Sequence, residues 1–163
     1  MSRLPDYELT DRYRRTNGTV LLTGIQALAR LPIEQLRRDA DRGLRTAAFV
    51  SGYPGSPLGG FDLEMQRAVS IASDLTIVHQ PAVNEELGAT AVMGSQLAPG
   101  RPDATHDGVV GIWYGKAPGL DRACDALRHG VFAGTHPKGG AVALVGRPPV
   151  ALGGDGCHAA ERR

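Results

Sequence analysis

One stretch near the first third of the chain most constrains its fold, because it changes abruptly from apolar residues to glycine, proline and hydroxyl residues. Residues 47–60 read AAFVSGYPGSPLGG, and the first four form an apolar run typical of a buried strand. Pro54 and Pro57 restrict the backbone of the loop that follows, and Ser56 is placed to cap a helix that has Pro57 at its first position. The stretch predicts a strand, a shaped loop and a helix N-terminus that together cradle an anion or cofactor. An ordinary strand-to-helix turn is the alternative, because the motif is neither GxGxxG nor a Walker loop.

Apolar runs alternate with segments of helical spacing along the rest of the chain. Strands are expected over residues 47–50, 75–78, 109–114 and 141–145. Helices are expected over residues 18–30, 33–41, 58–73, 84–98 and 120–133, with Pro32 separating the first two. This alternation predicts an α/β fold in which a parallel sheet carries helices on both faces. Ligands of such sheets bind beyond the carboxyl ends of the strands, so one shared site is expected there.

Composition bounds the class of protein. The chain has 163 residues, 42% hydrophobic and 21% charged, as expected of one soluble domain with a sizeable core. The net charge of +1 gives no electrostatic argument for a nucleic-acid or membrane partner. No segment approaches the roughly 18 apolar residues of a spanning helix, and the N-terminus lacks an apolar signal region, so we expect a cytoplasmic protein. Two cysteines provide neither a disulfide framework nor a multi-cysteine metal or iron–sulfur site within this chain.

A helix rich in small residues follows the second predicted strand. Residues 84–96 read NEELGATAVMGSQ, in which Asn84 is a favourable N-cap and both Glu85 and Glu86 favour the positive end of the helix. Adjacent helical residues point about 100° apart, so at most one of the two carboxylates faces a given partner. Capping does not explain the small residues, which let the helix lie against a flat ligand or another backbone: Gly88, Ala89, Ala91, Gly94 and Ser95. A carboxylate at the buried end of such a helix can exchange a proton with a heterocycle nitrogen.

Four blocks, in order, resemble a single enzyme family. The blocks RTNGTVLLTGIQALARLP, FVSGYPGSPLGGFD, QPAVNEELGATAVMGSQ and DGVVGIWYGKAPGLDRACDALRHGVFAGT together resemble the indolepyruvate:ferredoxin oxidoreductases, which are thiamine-diphosphate-dependent 2-oxoacid:acceptor oxidoreductases. The resemblance covers what looks like the family's pyrimidine-binding domain. It divides the chain into an N-terminal extension over residues 1–16, a pyrimidine-binding domain over residues 17–146 and a divergent tail over residues 147–163.

The resemblance implies an activity and a set of cofactors and partners. Family members bind thiamine diphosphate between the pyrimidine-binding domain and a separate diphosphate-binding domain. They oxidatively decarboxylate an aryl 2-oxoacid to an acyl-CoA and pass the electrons through iron–sulfur clusters to ferredoxin. The carbanion chemistry belongs to the cofactor. Magnesium and the [4Fe-4S] clusters are expected only on the other domains, with no metal site here, and the shared thiamine site implies an oligomer.

The resemblance also implies roles for residues of the small-residue helix. Glu85 matches the glutamate that hydrogen-bonds the aminopyrimidine ring and favours the tautomer that activates the cofactor, with Glu86 as the alternative. Gly88 and Ala89 belong to the same cofactor-binding block.

Two further segments carry family residues. The substrate-side loop matches at Tyr53, Pro54 and Ser56. Lys116 matches a Gly-Lys turn, expected over residues 115–119, where it meets either the substrate carboxylate or another domain. Asp121 and Arg122 are expected to begin and support the next helix, and Trp113 is expected in the core.

Two departures from the family pattern leave the function open. The sequence lacks the cluster-binding cysteines and the diphosphate-and-magnesium motif, of which GGDG at residues 153–156 is only a superficial likeness. The loss of similarity at about residue 146 suggests a truncated or frameshifted reading frame. The chain is therefore expected to be either the N-terminal part of this enzyme, with an exposed apolar face for its partner domain, or an inactive fragment or interaction module. A flavodoxin-like nucleotide-binding module fits the sheet but has no positive motif.

Overall fold

The described part of the chain folds around a four-stranded sheet in which every pairing is parallel. The computed structural model describes residues 7–54 and 58–146. Its elements in chain order are α1 (Asp11–Arg14), α2 (Gly24–Asp41), β1 (Thr46–Gly52), α3 (Phe61–Ile71), β2 (Ile77–His79), α4 (Glu85–Ser95), a 3-10 turn (Ala98–Gly100), β3 (Gly108–Lys116), α5 (Ala117–Arg122), α6 (Cys124–Ala133) and β4 (Gly140–Gly146). The strand order is β2-β1-β3-β4, which confirms the predicted α/β fold with a parallel sheet. None of the described helices is long and apolar enough to span a membrane.

Helices cover both faces of the sheet. Successive residues of a strand point to opposite sides, so apolar residues at neighbouring positions need a layer of helices on each face. Val50 of β1 and Ile112 of β3 are register partners, and both are buried in the core that α2 and α3 form on one face. The next residue of β3, Trp113, is buried in a second core with α4 and α6 on the other face. The expected burial of Trp113 in the core is thus confirmed, since only 1% of its surface is exposed.

The prediction that Pro32 separates two helices is wrong, because α2 runs through it without a break. A proline inside a helix removes one hydrogen bond and costs about 3 kcal/mol. An uninterrupted helix keeps Ala29, Ile33 and Leu36 on one stripe in the core. Burial of Ile33 and Leu36 contributes about 1.5–3 kcal/mol each, and burial of the small Ala29 contributes less. Tertiary packing therefore offsets the local cost of the proline.

The starts of two helices differ from the prediction. The first predicted helix begins later, after a capping box in which Gln26 N–H donates to Thr23 Oγ1 and Thr23 N–H donates to Gln26 Oε1. α3 begins at Phe61 after Gly60, whose φ of 84° lies in the left-handed region that suits glycine. The helix expected over residues 58–73 therefore begins three residues later, and the predicted cap at Ser56 lies outside the described residues.

The predicted turn over residues 115–119 is also wrong, because β3 continues to Lys116 and α5 begins at the next residue. Pro118 is accommodated in the first turn of α5, where a helix needs no N–H donor. Gly115 is part of β3, and it leaves room for the Trp113 ring, because a Cβ there would be 2.7 Å from Trp113 Cη2. Gly115 thus serves close packing and Pro118 serves helix initiation, although glycine and proline are also typical of turns.

The N-terminal extension packs on this domain where it is described. Tyr13 of α1 is 1% exposed and lies in the core with α2 and α3. Its hydroxyl donates to Glu64 Oε1 at 2.7 Å. Arg30 and Arg37 of α2 donate to backbone carbonyls at the end of α1, which have no partner within that short helix.

Candidate functional site

A cleft of about 410 Å³ opens at the carboxyl ends of the strands. Tyr53 directly follows β1, and Lys116 is the last residue of β3. Glu85 is the first residue of α4, which follows β2. These three predicted site residues all line the cleft, together with Val83, Asn84, Pro118, Gly119 and Arg122. The cleft thus occupies the edge at which parallel sheets bind their ligands.

The two adjacent glutamates of α4 have different environments. Glu85 is 7% exposed and lines the cleft, whereas Glu86 lies on the exposed side of the helix. The helix is capped by Asn84, whose Oδ1 accepts a hydrogen bond from Leu87 N–H at 2.8 Å, which confirms the predicted cap. Asn84 thus supplies the side-chain cap, so a capping role does not account for burying the Glu85 carboxylate.

Two residues of β3 and α5 fix the position of Glu85. Trp113 Nε1 donates to the backbone carbonyl of Glu85 at 3.0 Å. Gly119 lies so close that a Cβ there would be 2.6 Å from Glu85 Cγ and 2.7 Å from Glu85 Oε1. Within the described ranges, no hydrogen bond or ion pair reaches the Glu85 carboxylate. The Glu85 side chain is mostly buried but its carboxylate oxygens open onto the cleft, so a ligand bound there can donate a hydrogen bond to them.

The rest of the cleft combines positive charge with apolar surface. Lys116 is half-buried and Arg122 is exposed, and neither has a hydrogen-bonding or ionic partner among residues 7–54 and 58–146. Tyr53 is 41% exposed and Val83 is 79% exposed, so both present apolar atoms to solvent. The cleft therefore offers a ligand one buried acceptor, two cationic donors and an apolar wall.

Three further predicted site residues are described and lie outside the lining of the cleft. Gly88 packs against the backbone of β1, where a Cβ would be 3.0 Å from Gly52 Cα. Ala89 is 3% exposed and belongs to the core around Trp113. Packing accounts for both small side chains, and their part in cofactor binding stays a prediction. Pro54 is half-buried next to Tyr53 but is not among the residues that line the cleft.

Arg122 lines the cleft, although it was not predicted as a site residue from the sequence. It was expected to support the following helix, and it is in fact the last residue of α5. Because α5 starts immediately after β3, its six residues return Arg122 to the cleft that Lys116 borders. The signal that points to this arrangement is the block GKAPGLDR, in which glycine and proline permit such a short helix.

A separate pair of titratable residues lies under α3. His79 Nε2 is 3.3 Å from Tyr114 Oη, while His79 Nδ1 is buried and has no partner among the described residues. Burial lowers the pKa of His79 from its ordinary value of 6.5, and the negative charge of Asp62 opposes that shift. Burial also raises the pKa of Tyr114 well above its usual range. Both side chains are therefore neutral near pH 7.

Comparison with known proteins gives no family for this chain. No family model, no curated protein and no solved structure matches it. The family and function that the four sequence blocks suggest therefore stay proposals.

Proposed function

We propose that this chain is the pyrimidine-binding part of a thiamine-diphosphate-dependent 2-oxoacid:ferredoxin oxidoreductase of the indolepyruvate type. The complete enzyme converts an aryl 2-oxoacid to an acyl-CoA with electrons passed to ferredoxin. The observation that supports this proposal is the Glu85 side chain, which is largely buried and whose carboxylate has no partner among the described residues and opens onto a cleft shared with Tyr53 and Lys116. The diphosphate-binding and iron–sulfur domains are expected on a partner.

The chemistry of the cleft fits the aminopyrimidine end of thiamine. An ionised carboxylate accepts a hydrogen bond, and a protonated one donates it, so Glu85 can hold a proton at a ring nitrogen in either direction. The volume of about 410 Å³ lies within the range of small-molecule sites. When bound, the cofactor would supply the carbanion chemistry of decarboxylation.

The contribution of this chain is to hold the carboxylate in one place. Asn84 and Trp113 fix the first turn of α4 through hydrogen bonds to its backbone. Gly119 lets the Glu85 side chain lie flat against α5, which limits the directions that the carboxylate can take. A catalytic group held in one geometry reacts faster than a mobile one, because its ordering is completed during folding.

Calorimetric titration of the full chain with thiamine diphosphate and magnesium tests the proposal. We expect the unmodified chain to bind and Glu85→Gln to bind about tenfold more weakly or worse, since a hydrogen bond to a charged group contributes about 1.5–3 kcal/mol. Glu86→Gln is the matched control, because it removes the same charge from the exposed side of the same turn, and it should leave binding unchanged. Equal effects of the two substitutions, or no binding by the unmodified chain, would contradict the proposal.

A second candidate function, an interaction module, is favoured by the surface around β4. Among the described strands, β4 is at the edge of the sheet. It reads GAVALVG without any charge, and Val142 is 50% exposed. Next to it, a groove of about 390 Å³ runs along α4 and α6, and Phe132 of α6 is 96% exposed. Unguarded edge strands and apolar patches are typical of protein interfaces.

Sedimentation of the full chain distinguishes this second candidate. If the surface is an interface between chains, the unmodified protein should self-associate and Val142→Lys should remain monomeric, because a charge on the edge strand opposes pairing. Val78→Lys is the matched control, since Val78 is similarly exposed on the opposite edge strand, β2. A monomer at all concentrations, or an equal effect of both substitutions, would count against self-association through β4.

A further inference from the structure

We infer that Lys116 and Arg122 together form an anion-binding subsite that holds the carboxylate of an organic acid in the cleft, while Glu85 faces a hydrogen-bond donor. The identity of the acid as a 2-oxoacid rests on the proposed function, whereas the subsite rests on the cleft itself. Arg122 is the new residue in this assignment. Its place in the cleft follows from the fold.

The two cations border one space. Lys116 immediately precedes α5, and Arg122 ends it. Pro118 and Gly119, which lie between them in the chain, line the same cleft. Gly119 in turn contacts the Glu85 side chain, so both cations share the cleft with the buried carboxylate.

The balance of charge in the cleft favours a single negative charge on the ligand. Lys116 and Arg122 bring two positive charges and Glu85 brings one negative charge, and none of the three has an ionic partner among the described residues. A bound monoanion would complete the balance. A phosphate or pyrophosphate carries more negative charge than this balance neutralises, so Glu85 would repel it more strongly than it repels a carboxylate.

The shape of the donors and the surrounding surface favour a carboxylate with an organic body. A guanidinium presents paired N–H groups that match the two oxygens of a carboxylate. Tyr53 and Val83 offer exposed apolar atoms in the same cleft, which suit the hydrocarbon part of such an acid.

Titration of the isotope-labelled full chain with phenylpyruvate, followed by two-dimensional NMR, tests the subsite. We expect shifts at the backbone signals of residues 116–122 that saturate at millimolar concentration. Lys116→Gln and Arg122→Gln should each weaken binding about threefold to fivefold, as expected for charges in contact with solvent, and the double variant about tenfold. Arg122→Lys keeps the positive charge, so it should weaken phenylpyruvate binding less than Arg122→Gln does. Arg128→Gln, an exposed arginine of α6 outside the cleft, is the control and should change nothing.

Two further probes distinguish the source of the anionic group. The methyl ester of phenylpyruvate lacks the charge and should not shift these signals, and inorganic pyrophosphate should bind more weakly than phenylpyruvate. The subsite is overturned if phenylpyruvate fails to bind or binds the double variant equally well, and its carboxylate assignment is overturned if pyrophosphate binds more tightly. Glu85→Gln separates the two proposals. If this variant loses thiamine diphosphate binding but still binds phenylpyruvate, both proposals are supported. If even the unmodified chain binds phenylpyruvate but not thiamine diphosphate, only the subsite is supported.

Discussion

The indole nitrogen of Trp113 donates a hydrogen bond of 3.0 Å to the backbone carbonyl of Glu85. This bond joins strand β3 to the first residue of helix α4. It is buried, and Trp113 is also the largest side chain in the core on that face of the sheet. The packing of the core and the position of the candidate catalytic carboxylate therefore depend on one residue.

Trp113→Phe should destabilise the domain by about 2–3 kcal/mol. The substitution removes a buried hydrogen bond, which contributes about 1 kcal/mol, and leaves part of the space of the larger ring empty. Urea denaturation followed by circular dichroism measures the free energy of unfolding without relying on tryptophan fluorescence. An unchanged free energy would show that this bond does not hold α4 to the sheet.

Gly119→Ala should impair ligand binding at Glu85 more than it impairs folding. The added Cβ would lie 2.6 Å from Glu85 Cγ, and the end of a flexible side chain can move away from it. We expect a change in unfolding free energy below about 1 kcal/mol, because alanine also favours the helix. Binding of thiamine diphosphate should weaken about tenfold, since the carboxylate leaves its position. Calorimetry and urea denaturation of the same variant measure both quantities, and a loss of stability without a loss of binding would contradict the prediction.

Gly88→Ala and Gly94→Ala should change stability in opposite directions, although both lie in α4. A Cβ at residue 88 would be 3.0 Å from Gly52 Cα, so it pushes the helix from the sheet at a cost of about 1–3 kcal/mol. A Cβ at residue 94 meets nothing within 4 Å, so that variant should gain about 0.5–1 kcal/mol from helix propensity. Urea denaturation of the pair measures the difference. Equal effects would show that Gly88 does not set the spacing between α4 and β1.

The strands of this fold could be predicted from the sequence because their signals are local. β1 and β3 are apolar runs bounded by glycine, and both were found within three residues of their expected ends. The predicted break at Pro32 and the predicted turn over residues 115–119 used equally local rules, and both are wrong. In each case, burial of neighbouring side chains outweighs the preference of the residue itself.

The candidate site was only partly predictable for the same reason. Helical geometry indicates that Glu85 and Glu86 face different ways, but burial decides which of them faces the cleft. The place of Arg122 depends on how α5 leaves β3. Contacts of this kind leave no periodic pattern in the sequence.

His79 should make the folded state less stable as the pH falls. Burial lowers its pKa in the folded state below 6.5, whereas the unfolded chain keeps the ordinary value. Between these two pKa values the unfolded state binds more protons, so stability falls as the pH is lowered through 6.5 towards the folded-state pKa. Well above pH 6.5 both states are neutral, and the effect vanishes.

Urea denaturation at about pH 7.5 and about pH 5 measures this dependence. His79→Gln removes the titrating group, so it should lose less stability than the unmodified chain over this interval, whatever its stability at the higher pH. His129→Gln is the control, because His129 is exposed on α6, and it should keep the pH dependence of the unmodified chain. If His79→Gln and the unmodified chain lose stability equally, folding does not lower the pKa of His79, which contradicts the prediction.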